Sequence, residues 1–470
     1  MATSETVPFS KSGGLADVVG ALSATLSSMG HEVRVFMPMY SFIEKDGWHK
    51  ALSFQIPMLG SNEKAEIFEK EENGVIYAGL SHPYFSKRVG IYGDTSFQPY
   101  ADNCPRFLCF SKAVALYLAA TDWKADIVHC HDWTTGLVPY YLKYFKITAK
   151  TVFTIHNLAY QGVFPPFDAI ISSSRIPHSA LRGPKGHENI NMLAAGLLDS
   201  DFITTVSPTY MEEIREINMG CGLDDILRNR KEVSRGIING IDYTEWNPVG
   251  DKDIVSSYSY DDLSGKEVCK KDLLKEFKIQ GYDDKPLFSM ISRLADQKGF
   301  DELLLEGEPC ALERILSKND SAVILIGTGD SKYVTKLSIL MSKYKNLSVK
   351  IAFSTPLSHK AEAGADFFLM PSRFEPCGLN QLYSMRYGTL PIVHMTGGLK
   401  DTVRDLSGEE GTGFVFSPLT PDTIVETVER AVAFYEDKDS LKKARVRAMK
   451  VNSTWKHSAE EYVEVYSSLL

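Results

Sequence analysis

Asp366-Phe367-Phe368-Leu369-Met370 runs straight into Pro371-Ser372-Arg373-Phe374-Glu375-Pro376-Cys377-Gly378-Leu379. The first five residues read as a strand buried on both faces, because a half-exposed strand would alternate apolar with polar residues. The nine that follow bring a carboxylate, prolines and a glycine to the strand end, and a helix is expected over Asn380–Tyr387. The same strand-corner-helix grammar recurs along the chain. Short β-rich runs are Glu32–Met37 (EVRVFM), Asp126–Cys130 (DIVHC), Thr151–Ile155 (TVFTI), Phe202–Val206 (FITTV), Leu287–Ile291 (LFSMI), Ala322–Ile326 (AVILI) and Leu390–Val393 (LPIV). Amphipathic segments such as Arg106–Ala119 and Thr209–Glu216 separate them. This is an α/β pattern of parallel strands in doubly wound sheets.

The alternation is interrupted once, at Gly236–Pro248 (GIINGIDYTEWNP), where Asn239-Gly240 and Asn247-Pro248 supply turn chemistry. Two Rossmann-like domains are expected, residues 1–240 and 241–455, facing a cleft. A last amphipathic helix over 456–470, carrying Tyr462, Val463, Val465 and Tyr466, is expected to pack back on the first domain. In such folds ligands sit beyond the carboxyl ends of the strands.

The chain of 470 residues is 44% hydrophobic and 24% charged, an ordinary globular composition. Its 51 Lys and Arg against 60 Asp and Glu leave a formal charge of −9. A net acidic surface suits neither nucleic acid nor an anionic membrane as a general partner. No run reaches the ~18 apolar residues of a membrane span. Seven cysteines without any C-x-x-C pair argue against a zinc ribbon or a disulfide framework. No signal peptide is visible, so an intracellular protein is expected.

The chemistry-bearing residues gather at the corners. Phe9-Ser10-Lys11-Ser12-Gly13-Gly14-Leu15-Ala16-Asp17 precedes a helix expected over Leu15–Met29. Paired glycines and a lysine at a helix start suit an anion, but a tight strand-to-helix turn needs the same glycines. The G-x-G-x-x-G spacing is absent, so no nicotinamide dinucleotide is expected. His129-Cys130-His131-Asp132-Trp133 closes another strand. His129 and His131 share a strand face, yet no further spaced ligands accompany them, and a polar cluster is expected in place of a metal site. Asp132 is placed to accept sugar hydroxyls, and His156, in Thr154-Ile155-His156-Asn157-Leu158, is expected to face a ligand.

In the second half, Arg293 and Lys298 within Ser292-Arg293-Leu294-Ala295-Asp296-Gln297-Lys298-Gly299 are two cations before a helix. They suit a diphosphate, the alternative being a solvated loop. Glycine turns at Gly327-Thr328-Gly329-Asp330 and Thr396-Gly397-Gly398-Leu399 end two more strands. With no G-x-S-x-G and no G-x-x-x-x-G-K-[ST], the residues point to a nucleotide-sugar transferase whose leaving diphosphate is held by cations in place of a metal.

Nine segments in order, KSGGLADVVGAL, DIVHCHDW, TIHNLAYQG, TTVSPTY, GIINGIDYTEWNP, SRLADQKG, GTGD, FLMPSRFEPCGLNQLY and TGGLKDTV, resemble the bacterial glycogen synthase and plant starch synthase family. The resemblance implies the GT-B fold and transfer of glucose from ADP-glucose to the non-reducing end of an α-1,4-glucan, with retention. It implies that Lys11, Gly13 and Gly14 lie beside the nucleotide sugar and that Arg293 and Lys298 grip its diphosphate. Glu375 matches the catalytic glutamate, with Cys377 and Gly378 alongside. His156 would line the donor-glucose pocket, Gly329 would lie near the nucleoside, and Thr396 and Gly397 would complete the donor loop. Asp132 and Tyr92 would serve the sugar and the acceptor. No metal or cofactor is implied, and the compartment would be bacterial cytoplasm or plastid stroma.

Three features depart from the family or mark it. The family begins with a complete strand, whereas only Met1-Ala2-Thr3-Ser4-Glu5 precedes the loop here, so the first strand reads as truncated. A basic residue common near His394 or Met395 is absent, and Tyr383 stands where related retaining families carry a second glutamate. Three competing readings remain: a glucan-binding protein of the same fold without catalysis, a UDP-glucose-using relative, and a glucan phosphorylase. The phosphorylase would need a lysine-bound pyridoxal phosphate, for which no signature is seen.

Overall fold

The computed structural model describes residues 1–58, 60–95, 98–166, 176–184, 187–352 and 354–470. They divide into two units, Met1–Gly240 with Trp455–Leu470, and Ile241–Thr454.

In the first unit, strands Val33–Pro38, Val75–Ser81, Ser61–Glu72 and His49–Met58 lie side by side in that order. Ser234–Gly236, Phe202–Thr205, Lys150–Ile155 and Ile127–His131 form a second, all-parallel set. Ala2 joins the two sets, bridged in parallel to Phe36 on one side and Cys130 on the other. Its N–H donates to His129 O at 2.8 Å, and that of Thr3 donates to Phe36 O at 3.1 Å. The short run Met1–Thr3 therefore occupies the middle of the sheet, and the corners after it and after Ile127–His131 are neighbours.

The strand runs expected from sequence pair in parallel, and the first unit adds an antiparallel element that the sequence reading does not contain. His49–Met58, Ser61–Glu72 and Val75–Ser81 make an antiparallel meander, of which the last strand also runs parallel to Val33–Pro38. The outer two strands are largely exposed on one face, and Ser61–Glu72 is also rich in Glu and Lys, so neither shows the continuous apolar run of a doubly covered strand.

Helix Gly14–Ser28 buries Leu15, Val18, Val19, Leu22 and Leu26, the i, i+3, i+4 spacing of one helix face. Helix Trp455–Ser467 packs against it. Trp455, Ala459, Tyr462 and Val465 lie in the first unit's core, and Arg235 pairs with Glu461 at 2.6 Å.

The second unit holds six parallel strands in the order Leu347–Lys350, Ala322–Ile326, Leu287–Ile291, Phe367–Met370, Leu390–His394, Phe414–Phe416. Numbered along the unit this is 3-2-1-4-5-6, the Rossmann order. The direction of winding reverses between Leu287–Ile291 and Phe367–Met370. That places their carboxyl-terminal corners, Ser292–Gly299 and Pro371–Leu379, at the crevice where such sheets take ligands.

The opposite end of the same two strands is pinned by Asp366. Its carboxylate accepts from Lys270 Nζ at 2.8 Å, from Leu287 N–H at 2.9 Å and from Arg445. Burial opposes the charge, but Lys270 and Arg445 outweigh it and hold the carboxyl below its ordinary range. Beside this, Trp246 stacks between His359 (3.9 Å) and Tyr383 (3.8 Å). Tyr383 is thus a packing residue of the second unit. No helix of the described residues is long and apolar enough to cross a membrane.

Element limits move by a residue or two from the sequence reading. The first helix starts at Gly14, the segment Thr209–Glu216 shortens to Pro208–Glu213, and the last helix begins at Trp455. Leu287–Ile291 and Ala322–Ile326 match to the residue.

Candidate active site

The first unit brings its polar residues to three adjacent corners. After the Met1–Thr3 run the chain turns through Glu5 into the glycine loop. Glu5 is 2% exposed, and its Oε2 accepts from the N–H groups of Ser12 and of Gly13, the latter at 3.1 Å. Its Oε1 accepts from the Tyr92 hydroxyl at 2.8 Å, and that hydroxyl also contacts Ser4 Oγ at 2.8 Å. Burial raises the Glu5 carboxyl above its ordinary value, while the bonds from Tyr92, Ser12 and Gly13 act against the rise.

The glycine loop thus carries an internal anion on two of its N–H groups. The sequence reading left these groups open for a ligand. Lys11, exposed, is paired to Asp17 at 2.7 Å. Glu5 carries no sequence signal, because its partners are 7, 8 and 87 residues away along the chain.

At the second corner Asp132 has φ 57°, a left-handed conformation that a non-glycine residue adopts only where its surroundings enforce it. Its Oδ1 accepts from the His156 N–H at 2.7 Å, tying the second corner to the third. Burial pushes the Asp132 carboxyl up to about 7, opposed by the N–H groups of His156 and Asn157. His156 Nε2 lies 3.0 Å from His131 Nδ1. Burial alone lowers the His156 pKa to about 3, and burial together with neighbouring cationic groups drives His129 and His131 well below their usual value. His129 is engaged by Thr154 Oγ1 at 2.5 Å and Tyr466 OH at 2.8 Å, which makes it a structural bridge to the last helix.

In the second unit a cavity of about 110 Å³ opens at the strand-order reversal, lined among others by Ser292, Lys298, Ser372, Glu375, Gly378 and Asn380. Lys298 Nζ donates to Glu375 Oε2 at 2.5 Å, and Ser372 Oγ donates to the same oxygen at 3.0 Å. The two corners are stitched further by Arg373 N–H to Gln297 O (2.9 Å), Gln297 Nε2 to Phe374 O (3.3 Å) and Asn380 Nδ2 to Ile291 O (2.7 Å). Arg293, exposed, reaches Gln297 Oε1 at 3.4 Å.

Two glycines are required by close approach. A Cβ on Gly397 (φ +43°) would meet Glu375 O at 2.0 Å, and one on Gly299 (φ +76°) would meet Pro371 O at 1.9 Å. Gly398 N–H donates to Glu375 O at 3.1 Å, so the Thr396-Gly397 turn is fastened to the Glu375 backbone. Gly329 bridges Leu294 and brings its own turn against the Arg293 corner. Cys377 is buried, with its carbonyl accepting from Gln381 Nε2 at 3.0 Å.

The second-unit residues named from sequence, Arg293, Lys298, Gly329, Glu375, Cys377, Gly378, Thr396 and Gly397, thus fall on four neighbouring corners. Ser372 and Asn380 belong to the same corner, and nothing in their residue type or spacing marks them as part of the site. Their hydrogen bonds are what reveal them. Among the described residues one group, Asp251, Asp253 and His359, brings three metal-capable atoms within 4.8 Å of one another. Asp251 Oδ2 there already accepts from Tyr387 OH at 2.5 Å and lies 2.8 Å from His359 Nδ1.

A Rossmann unit with paired cations and a carboxylate at its switch point, and a second doubly wound unit with polar strand corners, define a two-domain glycosyltransferase of the GT-B class. Residues 1–229 match the family described as Starch synthase catalytic domain, and residues 273–447 match Glycosyl transferases group 1. Glycogen synthase 2 of Geobacter sulfurreducens is 42% identical, the match covering 99% of this chain and 97% of that one. The glycogen synthase of Myxococcus xanthus is 42% identical over 100% and 98%. The catalytic domain of starch synthase IV from Arabidopsis thaliana, solved bound to ADP and acarbose, superposes with a TM-score of 0.88 at 28% identity, covering 100% of this chain and 98% of that one. The chain belongs to the glycogen and starch synthase family.

Proposed function

We propose that this glycosyltransferase moves glucose from ADP-glucose to the non-reducing end of an α-1,4-glucan with retention of anomeric configuration, and that Arg293 and Lys298 hold the departing diphosphate. The observation that carries this reading is the Lys298–Glu375 pair at the switch point of the second unit. A buried carboxylate holds the ammonium in a fixed place, so little reorganisation is needed when phosphate charge develops beside it. Support for the ADP donor and glucan acceptor comes from the relatives' names and from the ligands of the Arabidopsis enzyme.

The diphosphate leaves C1 while the two cations take up its charge, and the acceptor 4-hydroxyl enters on the same face. The departing phosphate oxygen removes the acceptor's proton. Glu375 orients the donor and its cation and does not attack. His156 and Asp132 shape the sugar side, Tyr92 the acceptor side, and Lys11 with the glycine loop flanks the nucleotide sugar. The chain's own cations do the work a metal would do, and no cofactor takes part. The enzyme works where its polymer is stored, in bacterial cytoplasm or plastid stroma.

The test is glucose incorporation into glycogen by the purified chain, with ADP-glucose and UDP-glucose as parallel donors. ADP-glucose is expected to be the better donor and the new linkage to be α. A protein that binds glycogen yet releases no nucleotide diphosphate from either donor would overturn the reading.

A further inference from the structure

His131 Nδ1 and His156 Nε2 share one hydrogen bond at 3.0 Å, and the rest of the His131 ring decides which nitrogen owns the proton. His131 is the last residue of strand Ile127–His131 and is 0% exposed. Its other nitrogen, Nε2, is buried and meets no hydrogen-bond partner among the described residues. The ring is packed on His129 at 4.1 Å between centroids.

A neutral imidazole carries one N–H and one lone pair. Burial keeps both His131 and His156 neutral at pH 7. Two arrangements remain. If His156 donated from Nε2, the His131 proton would have to sit on its own Nε2, as a buried N–H with no acceptor. Such orphaned donors are rare in folded proteins, because a buried N–H that has lost its water without gaining an acceptor is destabilising. If His131 donates from Nδ1, only a bare lone pair is left buried.

We infer that His131 is a positioning residue that donates from Nδ1 to His156 Nε2 and so fixes His156 as the Nδ1–H tautomer, giving the site a neutral hydrogen-bond donor aimed at a sugar oxygen. This rests on the reading that His156 faces the donor sugar. The proton lies on the far nitrogen of His156, so the ring cannot act there as a base, and Asp132 fixes the same residue's backbone through its N–H. Strand pairing supplies the geometry, since Ile127–His131 and Lys150–Ile155 run parallel in adjacent positions.

The test reads the tautomer directly, on the full chain without substrate. Side-chain nitrogen NMR with ¹⁵N-labelled histidine, assigned with His131→Phe and His156→Gln, is expected to show His156 protonated on Nδ1 and bare on Nε2 at neutral pH. His131→Phe keeps the packed ring but removes the donor. It is expected to lose that signature and to lower kcat roughly tenfold, the scale of one misplaced hydrogen bond, with less change in KM. His131→Asn can return an amide donor near the former Nδ1 and is expected to recover most of the rate. A His156 protonated on Nε2, an unchanged His156 spectrum in His131→Phe, or equal losses in the Phe and Asn variants would each overturn the inference. Absence of glucosyl transfer from the wild-type chain would defeat the functional reading alone, because the tautomer is read without turnover.

Discussion

Lys298 Nζ sits 2.5 Å from Glu375 Oε2, and the two side chains are 18% and 9% exposed. A pair this enclosed, joining neighbouring corners at the strand-order reversal, holds a cation and an anion ready in one cavity. Removing either member leaves the other charge buried without its partner, which costs both activity and stability.

Lys298→Ala is expected to lower kcat/KM for the nucleotide sugar by about 10²–10³-fold, the usual loss when one charge-stabilising group is removed. Arg293→Ala, exposed and outside the pair, is expected to lower turnover while leaving the melting temperature unchanged. Initial rates of nucleotide diphosphate release, with thermal melts of the same samples, check both. Near-normal turnover in either variant would remove these residues from the diphosphate grip.

Gly299→Ala forces a Cβ to 1.9 Å from Pro371 O at φ +76°. The two corners must part to accept it, so a loss of about 1–3 kcal/mol is expected together with loss of activity. Urea denaturation gives the first and the release assay the second. A variant as stable and active as the wild type would show that the corners can separate freely.

The pH dependence of stability is expected to carry a signature of His156. Its folded pKa of about 3 lies below the unfolded value near 6.5. The stability it contributes is therefore fully present above about pH 6.5 and is lost as the pH falls toward 3. The melting-temperature gap between the wild type and His156→Gln should shrink in favour of the variant from about pH 7 to about pH 4. A gap constant with pH would mean that the ring is not held neutral.

Asp366 works in the opposite sense to an unpaired buried acid. Its carboxyl is held below the ordinary range by Lys270 and Arg445 against the effect of burial, so its contribution is present above the unfolded value near 3.9 and lost as pH falls below it. Asp366→Ala is expected to destabilise the second unit at neutral pH by about 3–5 kcal/mol, the cost of stranding a buried charge. Denaturant titration followed by fluorescence measures it, and a loss under ~1 kcal/mol would show the pair to be dispensable.

Tyr462 is fully buried in the first unit's core although it lies at the end of the chain. Tyr462→Ala is expected to cost about 3–5 kcal/mol, as for other large buried side chains. The first unit should become the more protease-sensitive of the two. Equal resistance to limited proteolysis in variant and wild type would indicate that the last helix adds little.

The sequence alone determined the layer grammar and most of the site inventory. Leu287–Ile291 and Ala322–Ile326 can be placed to the residue because a doubly covered parallel strand is apolar at nearly every position, Ser289 being the exception here, and that signal is local and redundant. The glycines at 299, 378 and 397 were visible at the corners for the same reason, since a left-handed turn restricts residue type locally. Strands His49–Met58 and Ser61–Glu72 lack that signal, because one face of each is exposed: the first alternates apolar with polar residues and the second is rich in Glu and Lys.

What only the tertiary structure decided is who meets whom. Lys298 and Glu375 are 77 residues apart, Glu5 and Tyr92 are 87 apart, and His129 and Tyr466 are 337 apart. A hydrogen bond between distant residues leaves no periodicity in the sequence. It exists because the order of strands in each sheet, set by packing over the whole unit, puts particular corners side by side. Tertiary placement turned the glycine loop from an open anion site into one braced by Glu5, and paired His131 with His156, where the sequence showed only two separate histidines.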